Sequence, residues 1–386
     1  MVENTATAGA VDTLRQIIGN DNVLTDAENL RFFSSDVNRE AEPARVVVQP
    51  ANSQELSEAV RTAVKADLAV IPRGGGMSYT DGYIPKYPDS MIVDLRRINR
   101  IVEINTEDMF VTVEPGCTWK ELFEALTQKG VRTPYFGPLS GMYATVGGAL
   151  SQNSLFFGSG LYGSVADSVL GLRIVLVDGS EITTGSAATP YNPSPFFRGY
   201  GPDLTGLFLG DTGALGFKVE ATLKLIPLPS DTQFASFAYD SFEGVCTAMS
   251  EVSRRGLAAE CFGFDPYLQG QRLQRAGLVS DLKSLAGVAR SGKNLVNGLT
   301  EAAKVAVAGR RYMDDVKYSM HVVVEGRNEQ ETSSRLTEIR SFATEGGEEI
   351  KNSLPKVMRG TPFVAPNSML GPDGERWVPI HGLVPH

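Results

Sequence analysis

Three consecutive glycines at the end of an apolar, strand-like run constrain this chain more than any other stretch: Ile71-Pro72-Arg73-Gly74-Gly75-Gly76-Met77-Ser78-Tyr79. Glycines expose a row of backbone N–H groups with no side chains to block close approach. Such a loop suits a phosphate. Arg73 adds charge and Ser78 a hydroxyl, so a diphosphate bridge fits better than a single carboxylate. The plain alternative is a turn after a strand, and a second glycine-rich stretch downstream weighs against it.

The residues around the loop give it a frame. Val11, Leu14, Ile17 and Ile18 recur at helical spacing, and Thr25 is placed to cap a second short helix ending at Phe33, which together predict a helical arm over residues 1–44. Arg45-Val46-Val47-Val48-Gln49-Pro50 reads as a strand. Asn52 with Glu55 resembles a capping box, opening a helix whose buried stripe is Leu56, Ala59, Val60, Ala63 and Val64. Leu68 to Ile71 is the next strand, so a β-α-β unit delivers the glycine loop at a strand's C-terminal end, where α/β folds bind ligands. A meander follows over Met91–Asp94, Ile101–Ile104 and Phe110–Val113. Thr118 with Glu121 then caps a helix carrying Trp119, Leu122, Ala125 and Leu126.

The second glycine-rich stretch runs from Phe136 to Ala149, followed by Ser151-Gln152-Asn153 and by Gly158 to Ser164. Its glycines, hydroxyls and amide suggest backbone wrapped around a large flat ligand; a buried glycine-rich turn is the alternative. Val169 to Val177, the Asp178-Gly179 turn and Glu181 to Thr184 read as a hairpin, Leu207 to Leu209 as a short apolar run, and Phe217 to Ile226 as a strand.

Composition narrows the class. At 386 residues, 42% hydrophobic and 21% charged, the chain has room for two or three domains with a substantial core. A net charge of −9 argues against nucleic acid as a partner. Cys117, Cys246 and Cys261 lack paired spacing and only three histidines occur, so no metal site is expected and a reducing, cytoplasmic setting fits. The N-terminal residues lack the pattern of a secretory signal, and no apolar run is long enough to span a bilayer.

Five short motifs then follow one another in order: Pro72-Arg73-Gly74-Gly75-Gly76-x-Ser78, Ala144-Thr145-Val146-Gly147-Gly148, Tyr162-Gly163-Ser164-x-x-Asp167, Val177-Asp178-Gly179 and Gly213-Ala214-Leu215-Gly216. In this order the region from Arg45 to Pro229 resembles the vanillyl-alcohol oxidase/p-cresol methylhydroxylase family of FAD enzymes. The resemblance implies an α+β fold: a two-lobed FAD-binding domain over residues 45–230, then an antiparallel-sheet cap or substrate domain over 231–386. It implies that Arg73, Gly74, Gly75, Gly76, Met77 and Ser78 hold the pyrophosphate. Pro138, Ser140, Gly141, Thr145, Gly147, Gly148 and Asn153 would lie along the isoalloxazine and ribityl chain, with Gly163, Ser164 and Asp167 beside them and Gly216 and Val219 near the adenine. A helix cap is the alternative for Asp167. Relatives that bind flavin covalently often carry histidine at the position of Met77, and others a cysteine near Tyr143. Neither is present, so the FAD is expected to be dissociable.

Beyond Pro229 the pattern becomes strand (Phe234 to Tyr239), helix (Phe242 to Arg255), strand (Ala259 to Phe264), a long helical segment, strand (Tyr318 to Glu325) and helix (Glu329 to Thr344), matching a cap of antiparallel sheet and helices. The segment 272–311 is basic and is a candidate for peripheral membrane contact or for meeting an acidic electron acceptor, a solvated helical face being the plainer reading. The last stretch reads as a turn entering a new strand, and the segment by which relatives return to the flavin domain is not found, so a fragment, a natural truncation and one subunit of a complex all stay open. The resemblance implies hydride transfer from an alcohol, either a D-2-hydroxy acid or a para-substituted phenol, to flavin N5. The candidates for catalysis are His381, Arg376 and Tyr312, with Arg311 also available; a structural role is the alternative for each. A flavin-binding or structural subunit of a larger oxidase is the other functional reading, and a homo-oligomer is a further partner expectation.

Overall fold

The computed structural model describes residues 5–191, 194–199, 201–267 and 316–363. They fall in two compact units, Met1–Leu155 with Ser164–Pro227, and Phe156–Gly163 with Leu228–His386.

In chain order the first unit begins with α1 (Thr5–Ile18), β1 (Val23–Leu24), α2 (Ala27–Phe33), β2 (Val46–Val48), α3 (Ser53–Lys65), β3 (Ala69–Arg73) and β4 (Ser90–Asp94). These strands make one sheet ordered β1-β2-β4-β3, in which β2 and β3 both run parallel to β4. The parallel arrangement requires a crossover, and α3 supplies it. Asn52 caps α3 by accepting the Glu55 N–H at 2.9 Å. Its buried face is Leu56, Ala59, Val60 and Ala63, packed with Val46, Val48, Met91 and Val93. Val64, expected in that stripe, is 45% exposed instead, because the helix has turned it past the edge of the sheet.

The leading helices pack into the first unit. Leu14 and Ile18 share the α3 core, and Val23 pairs with Val48. The cap of α2 is Asp26 rather than Thr25, its carboxylate accepting the Asn29 N–H at 3.0 Å.

The unit continues through β5 (Ile101–Asn105), β6 (Phe110–Val113), α4 (Trp119–Thr127), β7 (Val131–Arg132) and α5 (Val146–Gln152). After the excursion at 156–163, which holds α6 (Ser159–Tyr162), come β8 (Val169–Val175), β9 (Glu181–Thr183), α7 (Leu204–Leu207), β10 (Phe217–Lys224) and β11 (Ile226–Pro227). A second, antiparallel sheet is ordered β5-β6-β10-β8-β9. Thr118 and Glu121 form the expected capping box on α4. The apolar run at Leu207 is the end of helix α7, opened by Asp203 accepting the Gly206 N–H at 3.0 Å.

The second unit is built on β12 (Asp231–Tyr239), α8 (Phe242–Arg254), β13 (Glu260–Phe264), β14 (Tyr318–Gly326), α9 (Glu329–Ala343), β15 (Glu348–Ile350) and α10 (Ser353–Gly360). Its antiparallel sheet is ordered β13-β14-β12-β15. Ala235, Phe237 and Tyr239 of β12 and Met320, Val322 and Val324 of β14 pack with Val245 and Ala248 of α8 and Leu336 and Ile339 of α9. Strand alternation therefore turns Ser236, Ser319, His321 and Glu325 to the opposite face, and all four are buried there. Among the described residues no helix is long and apolar enough to cross a membrane.

Candidate functional site

The glycine loop leaves β3 where its pairing to β4 ends, at Arg73 opposite Asp94. Among the described residues, none of the five successive N–H groups from Gly74 to Ser78 donates to a protein acceptor. Gly76 adopts φ +69°, a conformation that costs glycine little and turns the amides of the loop. A run of uncommitted amides at the end of a parallel strand is an anion cradle.

The loop rests on the second glycine-rich stretch. A methyl group at Gly75 would stand 1.8 Å from the Tyr143 carbonyl oxygen, and one at Gly74 2.4 Å from Thr145 Oγ1. Thr145 in turn caps α5, its hydroxyl accepting the Gly148 N–H at 3.4 Å. A methyl at Gly147 would meet Pro115 at 2.6 Å, so this glycine lets α5 lie against the Pro115-Gly116 turn. The stretch before α5 is folded on itself, with the Gly141 N–H on the Pro138 carbonyl at 2.9 Å and the Ala144 N–H on the Ser140 carbonyl at 2.9 Å. Gly74, Gly75, Thr145 and Gly148 are thus brought together.

Other expected contacts are engaged elsewhere. Arg73 is 6% exposed, and its Nη1 donates to the carbonyls of Phe33 and Ser35 at 3.1 and 3.0 Å. Its guanidinium lies 4.6 Å from the Tyr83 ring centre, and burial pulls its pKa down. It fastens the end of α2 to the root of the loop. Ser78 Oγ is 2.9 Å from Thr80 Oγ1, while its carbonyl accepts the Tyr83 hydroxyl at 2.8 Å. Met77 lines an open cavity of about 700 Å³ together with Gly75, Gly76, Phe32, Asp36 and Val37.

Asn153 ends α5 in the left-handed region at φ +47°. Asp167 forms a capping box with Ser164, accepting its N–H at 2.7 Å and its hydroxyl at 2.9 Å. Gly163, at φ +77°, closes α6 and belongs to the second unit. Gly216 packs on β8, where a methyl group would meet Ile174 at 2.6 Å, and Val219 lies in the core of the first unit. His381, Arg376, Tyr312 and Arg311 lie outside the described residues, as does the basic segment 272–311.

Two polar constellations went unread in the sequence. In the first unit, Lys218 Nζ and Asp211 Oδ1 form an ion pair at 2.7 Å with both side chains 2% exposed. In the second, Arg359 of α10 donates to Glu260 at 2.9 Å and also to Glu325, and Glu260 further accepts the Gly158 N–H at 3.1 Å. Beside them His321 is bracketed by Ser319 at 2.9 Å and Ser236 at 2.8 Å, and burial pushes its pKa down to about 3. The available signal was parity: Ser319, His321 and Glu325 occupy alternate positions of one apolar strand, so all face one way. Among the described residues no cluster of three or more acidic, histidine or cysteine side chains could hold a metal ion.

The amide row and the close approach of two glycine-rich backbones fit a dinucleotide's diphosphate. Comparison with known proteins agrees: the family described as "FAD binding domain" matches residues 44–185. The chain is 30% identical over 206 residues to the glycolate oxidase subunit GlcD of Bacillus subtilis, an alignment covering 53% of this chain and 42% of that one. It is 26% identical over 256 residues to mitochondrial D-lactate dehydrogenase (cytochrome) 1 of Saccharomyces cerevisiae, covering 64% and 42%. The chain thus spans less than half the length of these relatives. Among solved structures, p-cresol methylhydroxylase with substrate bound superposes with a TM-score of 0.70 at 17% identity over 92% of this chain and 70% of that one. The 4-ethylphenol oxidase of Gulosibacter chungangensis does so with 0.69 at 17% over 94% and 69%. At such identity the likeness is one of fold. Residues 44–185 are therefore an FAD-binding domain, and the chain shares the fold of p-cresol methylhydroxylase and 4-ethylphenol oxidase.

Proposed function

We propose that this chain oxidises the alcohol carbon of a D-2-hydroxy acid or the side chain of a para-substituted phenol, using FAD. The observation that carries the reading is the row of uncommitted N–H groups at Gly74–Ser78 seated against Tyr143–Gly148. Bound FAD supplies the two-electron acceptor, which no protein side chain provides. The backbone amides offset the diphosphate charge. The relatives' names support both substrate classes, since they include glycolate and D-lactate on one side and p-cresol and 4-ethylphenol on the other.

The chain must also take a proton from the substrate hydroxyl. His321 is unsuited to this, because both ring nitrogens are hydrogen-bonded to serines and burial holds the ring neutral to about pH 3. We assign the proton to His381, with Arg376 and Tyr312 holding the substrate's anionic group. Anaerobic stopped-flow mixing of the flavoprotein with glycolate, D-lactate, p-cresol and 4-ethylphenol tests the reading: one class bleaches the flavin absorbance. His381→Ala is expected to slow that bleaching about 100-fold while FAD stays bound. Bleaching by no member of either class overturns the proposal.

A second reading, a flavin-binding subunit of a larger oxidase, is favoured by the relative named as a subunit. It predicts no bleaching by the isolated chain and bleaching by the same chain co-purified with its partner.

A further inference from the structure

Between α7 and β10 the chain makes a tight turn, Gly210-Asp211-Thr212-Gly213-Ala214-Leu215-Gly216, which touches the chain on either side of the glycine loop. Before the loop, Gly213 packs on Pro72 so closely that a methyl group would stand 2.5 Å from the ring. Behind it, the Thr212 methyl faces Gly82, where a methyl group would stand 2.4 Å away. A third contact fastens the turn to α5: the Gly210 N–H donates to the Leu150 carbonyl at 3.0 Å and the Thr212 N–H to the Ser151 carbonyl at 2.8 Å. The turn therefore bridges the two backbone segments that form the cradle.

Its conformation is one a chain does not adopt unaided. Three of its residues have positive φ, Gly210 at +67°, Thr212 at +56° and Gly213 at +81°, and for the β-branched Thr212 that is a strained position. Asp211 is what holds it. One carboxylate oxygen accepts the Gly213 N–H at 3.0 Å and the Lys218 ammonium at 2.7 Å, and the other accepts the Leu215 N–H at 3.3 Å. Lys218 reaches it from the second residue of β10, on which the turn ends. With both side chains 2% exposed, each charge depends on the other.

We infer that Asp211, locked by Lys218, is a positioning residue for FAD: it fixes the 210–216 turn and so the spacing between the Gly74–Ser78 amides and α5. Neither side chain needs to touch the cofactor. The inference rests on the FAD-binding domain alone, and its test contains no substrate, so it stands or falls apart from the proposed alcohol oxidation.

The test measures the FAD dissociation constant by flavin fluorescence on titrating deflavinated protein, and in parallel the thermal midpoint of that protein. Asp211→Ala is expected to weaken FAD binding about tenfold, the worth of one charge-assisted hydrogen bond lost from a preorganised site. The double variant Asp211→Asn/Lys218→Met leaves no buried charge. Its midpoint is expected to stay near that of the parent while its FAD affinity still falls about tenfold, because the NH2 group that replaces the second carboxylate oxygen cannot accept the Leu215 N–H. Leu14→Ala, in the α1–α3 core, serves as the control that lowers the midpoint and leaves FAD affinity within about twofold. Parental affinity in the double variant overturns the inference. So does a loss of affinity in Leu14→Ala equal to that in Asp211→Ala at equal loss of midpoint. Should Asp211→Ala fail to fold, the double variant and Lys218→Met decide it by the same two readouts.

Discussion

The first unit presents backbone amides at its glycine loop, and the second places side chains where its sheet could have been apolar. In the first, Gly74 to Ser78 offer amides, and the side chains nearby are fasteners: Arg73 on two carbonyls, Thr145 on a helix end, Asp211 on a turn. In the second, the face of the sheet turned from α8 and α9 carries Glu260, Glu325 and His321, with Arg359 of α10 donating to both carboxylates and Ser236 and Ser319 flanking the imidazole. The difference teaches where each unit tolerates change. A backbone site fails when an atom is added, because there is no room; a buried polar network fails when an atom is removed, because a charge or dipole is left without its partner.

The sharpest way to break that contrast is Arg359→Met. It leaves Glu260 and Glu325, 5% and 4% exposed, without the guanidinium that bridges them. Loss of one member of a buried ion cluster costs about 3–5 kcal/mol, so the second unit is expected to unfold at markedly lower urea, followed by circular dichroism. Over the same range the first unit should keep its FAD affinity. An unchanged urea midpoint would mean that the cluster is no more than a set of independent surface pairs.

Gly75→Ala is the counterpart in the first unit. The added methyl meets the Tyr143 carbonyl oxygen at 1.8 Å, a backbone atom that cannot swing aside. Overpacking of this kind costs up to about 3 kcal/mol, and since the two glycine-rich stretches must separate to relieve it, FAD affinity is expected to fall about 100-fold in a fluorescence titration. Parental affinity would show that the cradle is soft, and the comparison between the units would lose its basis.

These two positions also show what the sequence could and could not reveal. Three adjacent glycines after a strand have one economical explanation, and the Asn52 and Thr118 caps mark the helices that frame them, because all three signals act on local backbone. Asp211 and Lys218 carry no such mark. Seven residues apart in a chain with 21% charged residues, they look like surface charges until the turn buries them. The Glu260–Arg359 contact joins residues 99 apart, and the excursion at 156–163 crosses to the other unit in the middle of a run whose motifs all point to the first. Long-range pairings of this kind are set by tertiary packing, which short-range patterns do not encode. Thr25 and Asp26 show the smaller error: two good cap residues are adjacent, and the one whose carboxylate reaches the Asn29 amide is Asp26.

A pH dependence sharpens the comparison further. His321 has a folded pKa of about 3, below the value near 6.5 of an exposed imidazole, because its site cannot solvate the cation. Between those values the unfolded chain binds a proton that the folded one refuses. The stability of the second unit from this residue is therefore complete above about pH 6.5 and declines as pH falls toward 3, by about 2 kcal/mol at pH 5. His321→Gln, which keeps a donor and an acceptor between Ser236 and Ser319, is expected to flatten the urea midpoint against pH between 5 and 7. A slope identical to the parent's would place the titrating group elsewhere.

The smallest effect is expected where the two designs meet, at a side chain inside the backbone site. Met77 follows Gly76 and lines a cavity with it and Gly75, and the family resemblance puts it beside the pyrophosphate. Its thioether has no proton to lose and no nitrogen to donate, and cannot form the histidyl bond by which some flavoproteins anchor their cofactor. If the amides and the shape of the loop hold FAD, then the identity of residue 77 matters only through its volume. Met77→Leu, a nearly volume-conserving change, should alter the FAD dissociation constant by less than about threefold. Trichloroacetic acid should then release the flavin from parent and variant alike, leaving a colourless pellet under a yellow supernatant. A yellow pellet from both would mean that a residue other than Met77 is bonded to the flavin. In that case the amide row would be one of two anchors, and Gly75→Ala would weaken binding far less than a purely backbone-built site requires.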